Sequence, residues 1–492
     1  MLFIQSNSLA LTLPTGERLR LLDALAERGF APLVRAARRG LFRSLFGQAA
    51  GTDAASELER ECAARRESGG GGSVAYAPGD LFCDGDCVFA LVFGQDSEGG
   101  ALTASVIYDL ETAAPLGRLE RFCREVRAAL EAIKEDEGVA VGTSSDAAPG
   151  SSDSSEKASS GLPSWQPRAA RLPRGLARFM AIQPAEFVRA GAALRGGREL
   201  ARASEMLEER AVRDFLRRMQ ELRLEGYTPR RLLAEAGASA SVSVERMLEA
   251  GLLERELRVS CRKSGHALFD LPSPDSLAAV TVSRAKCSLC AAPVADEVVE
   301  ETFSPTRLAV ALLEDGGWLA NRVYRIVRSL GVPESDIATG PPGAGGESYL
   351  AADVCGTSFI VVTRDGDLTP AFSRRVAEIV EETDAEHLIA VVTGSAEDEG
   401  RLRLYEFAWR RSRGGRDLAT TVVEGLDAAR AQIGRAFEAA VRRELSRSLF
   451  ALDFALGFGA AGFVLDWFRT SKASAARARQ TEERAAALLM TG

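Results

Sequence analysis

Cys261, His266, Cys287 and Cys290 lie in one short segment that holds three of the chain's eight cysteines and one of its two histidines. Thiolates and imidazoles are the side chains that hold zinc, which takes four of them in a tetrahedron. Cys287-Ser-Leu-Cys290 has the C-x2-C spacing from which two sulfurs reach one ion across a tight turn. Cys261 and His266 offer the other pair, with Gly265 permitting the turn between them. Four protein ligands leave no position for water or substrate, so the expected ion is structural Zn2+. The alternative is buried thiols beside a hydrogen-bonded histidine, because C-x4-H is not a second C-x2-C.

Other reactive residues carry less. Cys83 and Cys87 in CDGDC have no second pair or histidine near them in sequence and are expected to flank a turn between strands. Cys62, Cys123 and Cys355 are expected to be small buried hydrophobes. GPPGAGG at Gly340–Gly346 lacks the lysine of a phosphate loop, and GFGAAG at Gly457–Gly462 lacks the βαβ unit and distant acid of a dinucleotide site. Neither supports nucleotide binding.

The elements that must position these residues belong to a multi-domain α/β chain. At 492 residues it exceeds one ordinary core, and 46% hydrophobic with 26% charged residues is a globular balance. The net charge of −8 excludes a uniformly basic nucleic-acid binder. The N-terminus has no basic stretch before its apolar residues, so a cytoplasmic chain with reduced thiols is expected. Residues 1–137 read as a small α/β domain, with paired strands at Cys87–Phe93 and Ala101–Tyr108 and an amphipathic helix over Leu116–Ile133. Residues 138–164, rich in Ser and short of large apolar residues, read as a disordered linker.

Residues 165–260 combine an arginine-rich stretch with two short helices and an alternating strand. This order resembles a winged helix, with Thr228 capping one helix, Gly237 in the turn, Val242–Leu253 at the recognition position and Glu254–Cys261 opening the wing. The resemblance implies DNA contacts from Arg230, Arg231, Arg246, Arg255 and Arg258, or a protein-docking module whose arginines are structural. Residues 261–303 resemble zinc-ribbon and treble-clef knuckles.

Residues 304–412 read as helices, a β-hairpin, a helix and a buried strand. That order resembles the core of the restriction-endonuclease-like superfamily, whose active members use an acid on the first hairpin strand and an acid-x-lysine on the second. Asp353 is the matching acid; the second strand offers Val361 with Thr363, or Val362 with Arg364, so the resemblance implies an inactive relative. Asp365 and Asp367 in RDGD are loop residues that a metal-dependent nuclease would have to recruit. Residues 413–492 read as helices with Val422, Leu426, Ile433, Phe437 and Val441 on one face. Their apolar run is broken by Asp453 and Asp466 and is too short to span a bilayer, leaving a buried helix or self-association interface, or an interfacial membrane contact. Three functions follow as expectations: a nucleic-acid-associated regulatory or genome-defence protein, a protein-binding scaffold or signalling-output protein, or a nuclease using Asp353.

Overall fold

The computed structural model describes residues 2–37, 40, 78–94, 101–137, 163–167, 176, 197–224, 243–288, 290–314, 316–340, 346–456 and 459–471. The chain is mixed α/β, with three sheets among the described residues. It divides into two compact units, Met1–Arg171 with Phe437–Gly492, and Leu172–Ala436.

In the first unit, strands β1 (Leu2–Ala10), β2 (Gly79–Asp84), β3 (Cys87–Phe93), β4 (Ala101–Asp109) and β5 (Gln166–Pro167) form an antiparallel sheet of order β2-β3-β4-β1-β5. The expected β3–β4 pair is present. The helix Pro115–Glu137 buries Leu119, Phe122, Val126 and Leu130, one face at helical spacing, in a core shared with Leu21, Leu22 and Leu25 of the helix Thr15–Glu27. Phe122 stacks on Phe89 with ring centroids 4.7 Å apart. Cys87 is buried beside the hairpin turn, its Sγ 3.2 Å from the Asp84 carbonyl, which is the turn role its spacing suggests.

The C-terminal part holds the helix Ala429–Leu456 and helical residues 460–471. Asp453, one of the charges interrupting the apolar run, accepts the Ala460 N–H at 2.7 Å and so satisfies a donor at the start of the second helical stretch. No helix among the described residues is long and apolar enough to cross a membrane.

The second unit carries the other two sheets. Strands β6 (Leu253–Ser260), β7 (Ala267–Leu271) and β8 (Val298–Pro305) form an antiparallel sheet of order β7-β6-β8. The strand expected to open a wing is thus the centre of a three-stranded ribbon. The helix expected over Val242–Leu253 spans only Val244–Glu249, capped by the Ser243 hydroxyl and ended where Gly251 turns left-handed at φ 71°. Thr228, Gly237, Arg230 and Arg231 lie outside the described residues.

The larger sheet comprises β9 (Ile337–Thr339), β10 (Glu347–Val354), β11 (Thr357–Arg364), β12 (His387–Val392) and β13 (Ala419–Glu424), in the order β13-β12-β11-β10-β9. β9, β10 and β11 pair antiparallel, whereas β11, β12 and β13 run parallel. Parallel neighbours need crossover connections. These are the helices Pro370–Thr383 and Asp398–Arg413, the first starting at Pro370 with the Thr369 hydroxyl accepting from Phe372 N–H. Every residue of β12 is buried, as its unbroken apolar run requires. Ala419–Glu424 corrects the helical expectation around Val422. Its β-branched ATTVVE extends a parallel sheet instead of winding into a helix.

Candidate metal centre

The β6–β7 connection and the segment before β8 each make one knuckle, and the two are built alike. In the first, Cys261 N–H donates to the His266 carbonyl (2.8 Å) and Gly265 N–H to the Cys261 carbonyl (2.7 Å). In the second, Cys287 N–H donates to the Ala292 carbonyl (2.8 Å) and Ala291 N–H to the Cys287 carbonyl (2.9 Å). The fifth residue of each is left-handed, Gly265 at φ 67° and Ala291 at φ 58°. Alanine disfavours that conformation by about 1–2 kcal/mol. Cys261 therefore matches Cys287, and Ser264 stands where the second knuckle has Cys290.

Cys261, Cys287, Cys290 and Glu297 gather their ligand atoms within 4.8 Å of one another, and no second such group occurs among the described residues. His266 is not part of it. Its side chain is exposed, and its contribution to the turn is the backbone carbonyl that receives the Cys261 N–H. Glu297 takes the fourth place; it is 5% exposed, with Oε1 3.2 Å from Cys290 Sγ and Oε2 accepting the Arg262 N–H at 2.5 Å. The expected C-x4-H spacing is not the one gathered here: the left-handed residue at the fifth position reverses the chain, and His266 comes just before β7.

One sulfur–sulfur distance matches that expected around a tetrahedral ion. Two sulfurs each about 2.3 Å from one metal at the tetrahedral angle lie roughly 3.8 Å apart. Cys261 Sγ and Cys290 Sγ are 3.7 Å apart, far beyond the roughly 2.05 Å of a disulfide. The Ser264 hydroxyl, followed by the Ser264 and Lys263 backbone N–H groups, lowers the Cys261 pKa to about 7. Around Cys290 the Ala292 N–H acts in the lowering direction, but Glu297 and the neighbouring thiols outweigh it and push the group up to about 12. Thiols and a carboxylate thus crowd one point in mutual electrostatic conflict, and a cation among them would relieve it. The Arg262 N–H and Cys290 hold the Glu297 carboxyl below the usual range. The cluster could hold a metal ion.

The nuclease-like expectation meets a different arrangement. Asp353 is at the turn end of β10, where its carboxylate accepts the Gly356 N–H at 2.7 Å and burial raises its pKa. Asp365 follows the far end of β11, roughly 20 Å away at the rise of a strand, so the two cannot share an ion. Asp365 is instead buried against Arg213 (3.4 Å) and Arg217 and accepts the Thr393 hydroxyl (2.8 Å), while Asp367 accepts the Ser395 N–H (2.7 Å). The acid that lies opposite Arg364 is Glu347, which sequence reading passed over. Fully buried, Glu347 receives Arg375 on both oxygens, Arg364 at 3.4 Å and the Tyr349 hydroxyl at 3.2 Å. Burial, then the Glu347 charge, pushes the Tyr349 phenol up, so it stays a donor.

The described candidate DNA-contacting arginines are also engaged. Arg258 is buried and paired through Nε (2.7 Å) and Nη2 (3.0 Å) with Asp270; Arg255 meets Glu301 at 3.1 Å and Arg246 meets Glu209 at 3.8 Å. No protein-family model, curated protein or solved structure matches the chain. The site's chemistry is therefore read from its own residues. Two signals in the sequence could have found this cluster: Cys-Arg-Lys-Ser repeats the spacing of Cys-Ser-Leu-Cys, and an acid follows Cys290 just before the next strand.

Proposed function

We propose that Cys261, Cys287, Cys290 and Glu297 hold a structural Zn2+, and that the chain is a nucleic-acid-associated regulatory or genome-defence protein that binds without cutting. The zinc assignment is supported by three sulfur ligands, the 3.7 Å Sγ separation and two matched knuckles. With four protein ligands the ion fixes the β6–β8 ribbon and supplies no open position for chemistry.

The observation that carries the non-cleaving reading is Glu347. The hairpin, crossover helix and parallel strand support a restriction-endonuclease-like assignment, in which the hairpin would offer two acids and a lysine to a divalent metal. Here Arg364 lies opposite Glu347, Val362 lies two residues before it, and the carboxylate is occupied by two guanidiniums. A carboxylate so compensated has little left to offer a magnesium ion. In a cleavage assay with duplex and single-stranded DNA and magnesium, the zinc-loaded chain should leave both intact while shifting them at low salt. Cleavage lost on Glu347→Gln would defeat the inactive reading.

A second reading, a protein-binding scaffold, has its own support. The described candidate DNA arginines are paired with acids, and Leu402, Tyr405 and Trp409 line an exposed helical stripe at i, i+3 and i+7. Absence of any nucleic-acid shift at low salt would favour it.

A further inference from the structure

The helix Gly317–Ser329 places Arg322, Arg325 and Arg328 at three-residue steps, and Arg430 from the start of the helix Ala429–Leu456 lies beside them. With Ser329 and Glu334 they line an open groove of about 550 Å³. Arg322 is already neutralised by Glu205 (3.2 Å) and Glu208. Among the described residues the other three meet no carboxylate in an ion pair: Arg325 Nε donates to Asn321 Oδ1 (3.2 Å), Arg328 to the Val332 carbonyl (2.7 Å) and Arg430 to the Ser329 hydroxyl (2.9 Å). Each of these bonds uses one of the five donors of a guanidinium and none of its charge. Three cations are thereby oriented by neutral acceptors, their remaining donors unspent, around one concave surface that holds a single acid. By contrast, Arg246, Arg255 and Arg258 each face a carboxylate.

We propose that this groove seats the phosphodiester backbone of a nucleic acid. Planar guanidiniums match phosphate oxygens in bidentate geometry, and neutral acceptors that fix them lower the ordering cost of binding. The choice of a polymer over a free nucleotide follows from the lining. The groove is open, and its aromatic residue, Tyr324, is only 7% exposed and gives no platform on which a base could stack. The seat therefore reads phosphates and not bases. This inference rests on the nucleic-acid reading above and deepens it by naming the surface.

The test uses the full-length, zinc-loaded chain, a fluorescein-labelled DNA duplex and a salt titration followed by anisotropy. Each phosphate neutralised contributes about 0.9 to the slope of log affinity against log salt. Substituting Arg325, Arg328 and Arg430 together by Gln should flatten that slope by about 3 and weaken low-salt binding by more than about tenfold. Lysine at the same positions should restore most of the slope, and Arg255→Gln should leave it unchanged. A triple Gln variant that melts like the parent yet binds with its full slope would overturn the seat while leaving nucleic-acid binding intact. If the triple variant does not fold, Arg430→Gln alone must flatten the slope by about 1 or the seat is rejected. A parent chain that binds no duplex at low salt would sink the underlying reading, and one that binds inorganic phosphate but no duplex would reject a polymer ligand.

Discussion

At the knuckles, three thiols and a carboxylate converge with no guanidinium or ammonium in ion-pair contact among the described residues, whereas at the far end of the β10–β11 hairpin one carboxylate meets two guanidiniums and a phenol. The first group has acceptors in excess and could take a cation from outside. The second has its counter-charges built in, because Arg364 comes from β11 opposite Glu347 and Arg375 from the helix that follows. Burial of charge is costly unless it is compensated, and these two centres of the same unit compensate it by different means. The difference separates a site that could hold a metal ion from one whose acid is spent on holding structure.

The largest expected effect lies on the metal side. Structural zinc contributes apparent free energies of about 10–16 kcal/mol in small zinc domains near neutral pH. Cys287→Ser combined with Cys290→Ser, or strong chelation, should remove one metal per chain and abolish hydrogen-exchange protection across β6, β7 and β8. Protection that survives metal removal would show that the ribbon stands without the ion. Acid should also release the metal, since thiolate ligands must take up protons as they let it go.

Next comes the self-compensated centre. Glu347→Gln leaves two partly exposed guanidiniums beside a neutral amide and should cost about 1.5–3 kcal/mol in urea denaturation. A loss below about 1 kcal/mol would place those arginines in effective contact with water and erase the contrast.

A narrower pair of substitutions tests which residue completes the cluster. Glu297→Ala should lower metal retention in a chelator competition by at least about tenfold, while His266→Ala leaves it unchanged. The reverse result would restore the C-x4-H ligand set. Ser264→Cys, which makes the two knuckles alike, should tighten metal retention.

The smallest effect belongs to Asp353. Burial raises its pKa in the folded chain, so its contribution to stability is fully present below the unfolded value and declines as pH rises through the folded one. Near neutral pH its charge is therefore a burden. Asp353→Asn, which keeps an oxygen for the Gly356 N–H, should raise stability by under about 1 kcal/mol at pH 7 and do nothing in acid. A clear loss at pH 7 would assign this carboxylate a role that the hairpin turn does not explain.

By itself, the sequence determined what local pattern can determine. Three of four cluster residues followed from sulfur chemistry and knuckle spacing, and the β10–β11 hairpin, its crossover helix and β12 followed from their alternating, periodic and unbroken apolar runs. Asp453 marked a break in the apolar run, but only the fold gave it a hydrogen bond to make. Tertiary structure decided the rest, because each remaining choice depends on residues distant in sequence. Glu297 enters the cluster because β8 pairs antiparallel with β6 and brings the segment preceding it alongside Cys261. Glu347 rather than Asp353 faces Arg364 because antiparallel register places the start of one strand against the end of the next. Arg255 and Arg258 each meet a carboxylate on a neighbouring strand, Glu301 on β8 and Asp270 on β7. A sequence displays which charges exist; pairing across strands decides which of them remain available to bind anything else.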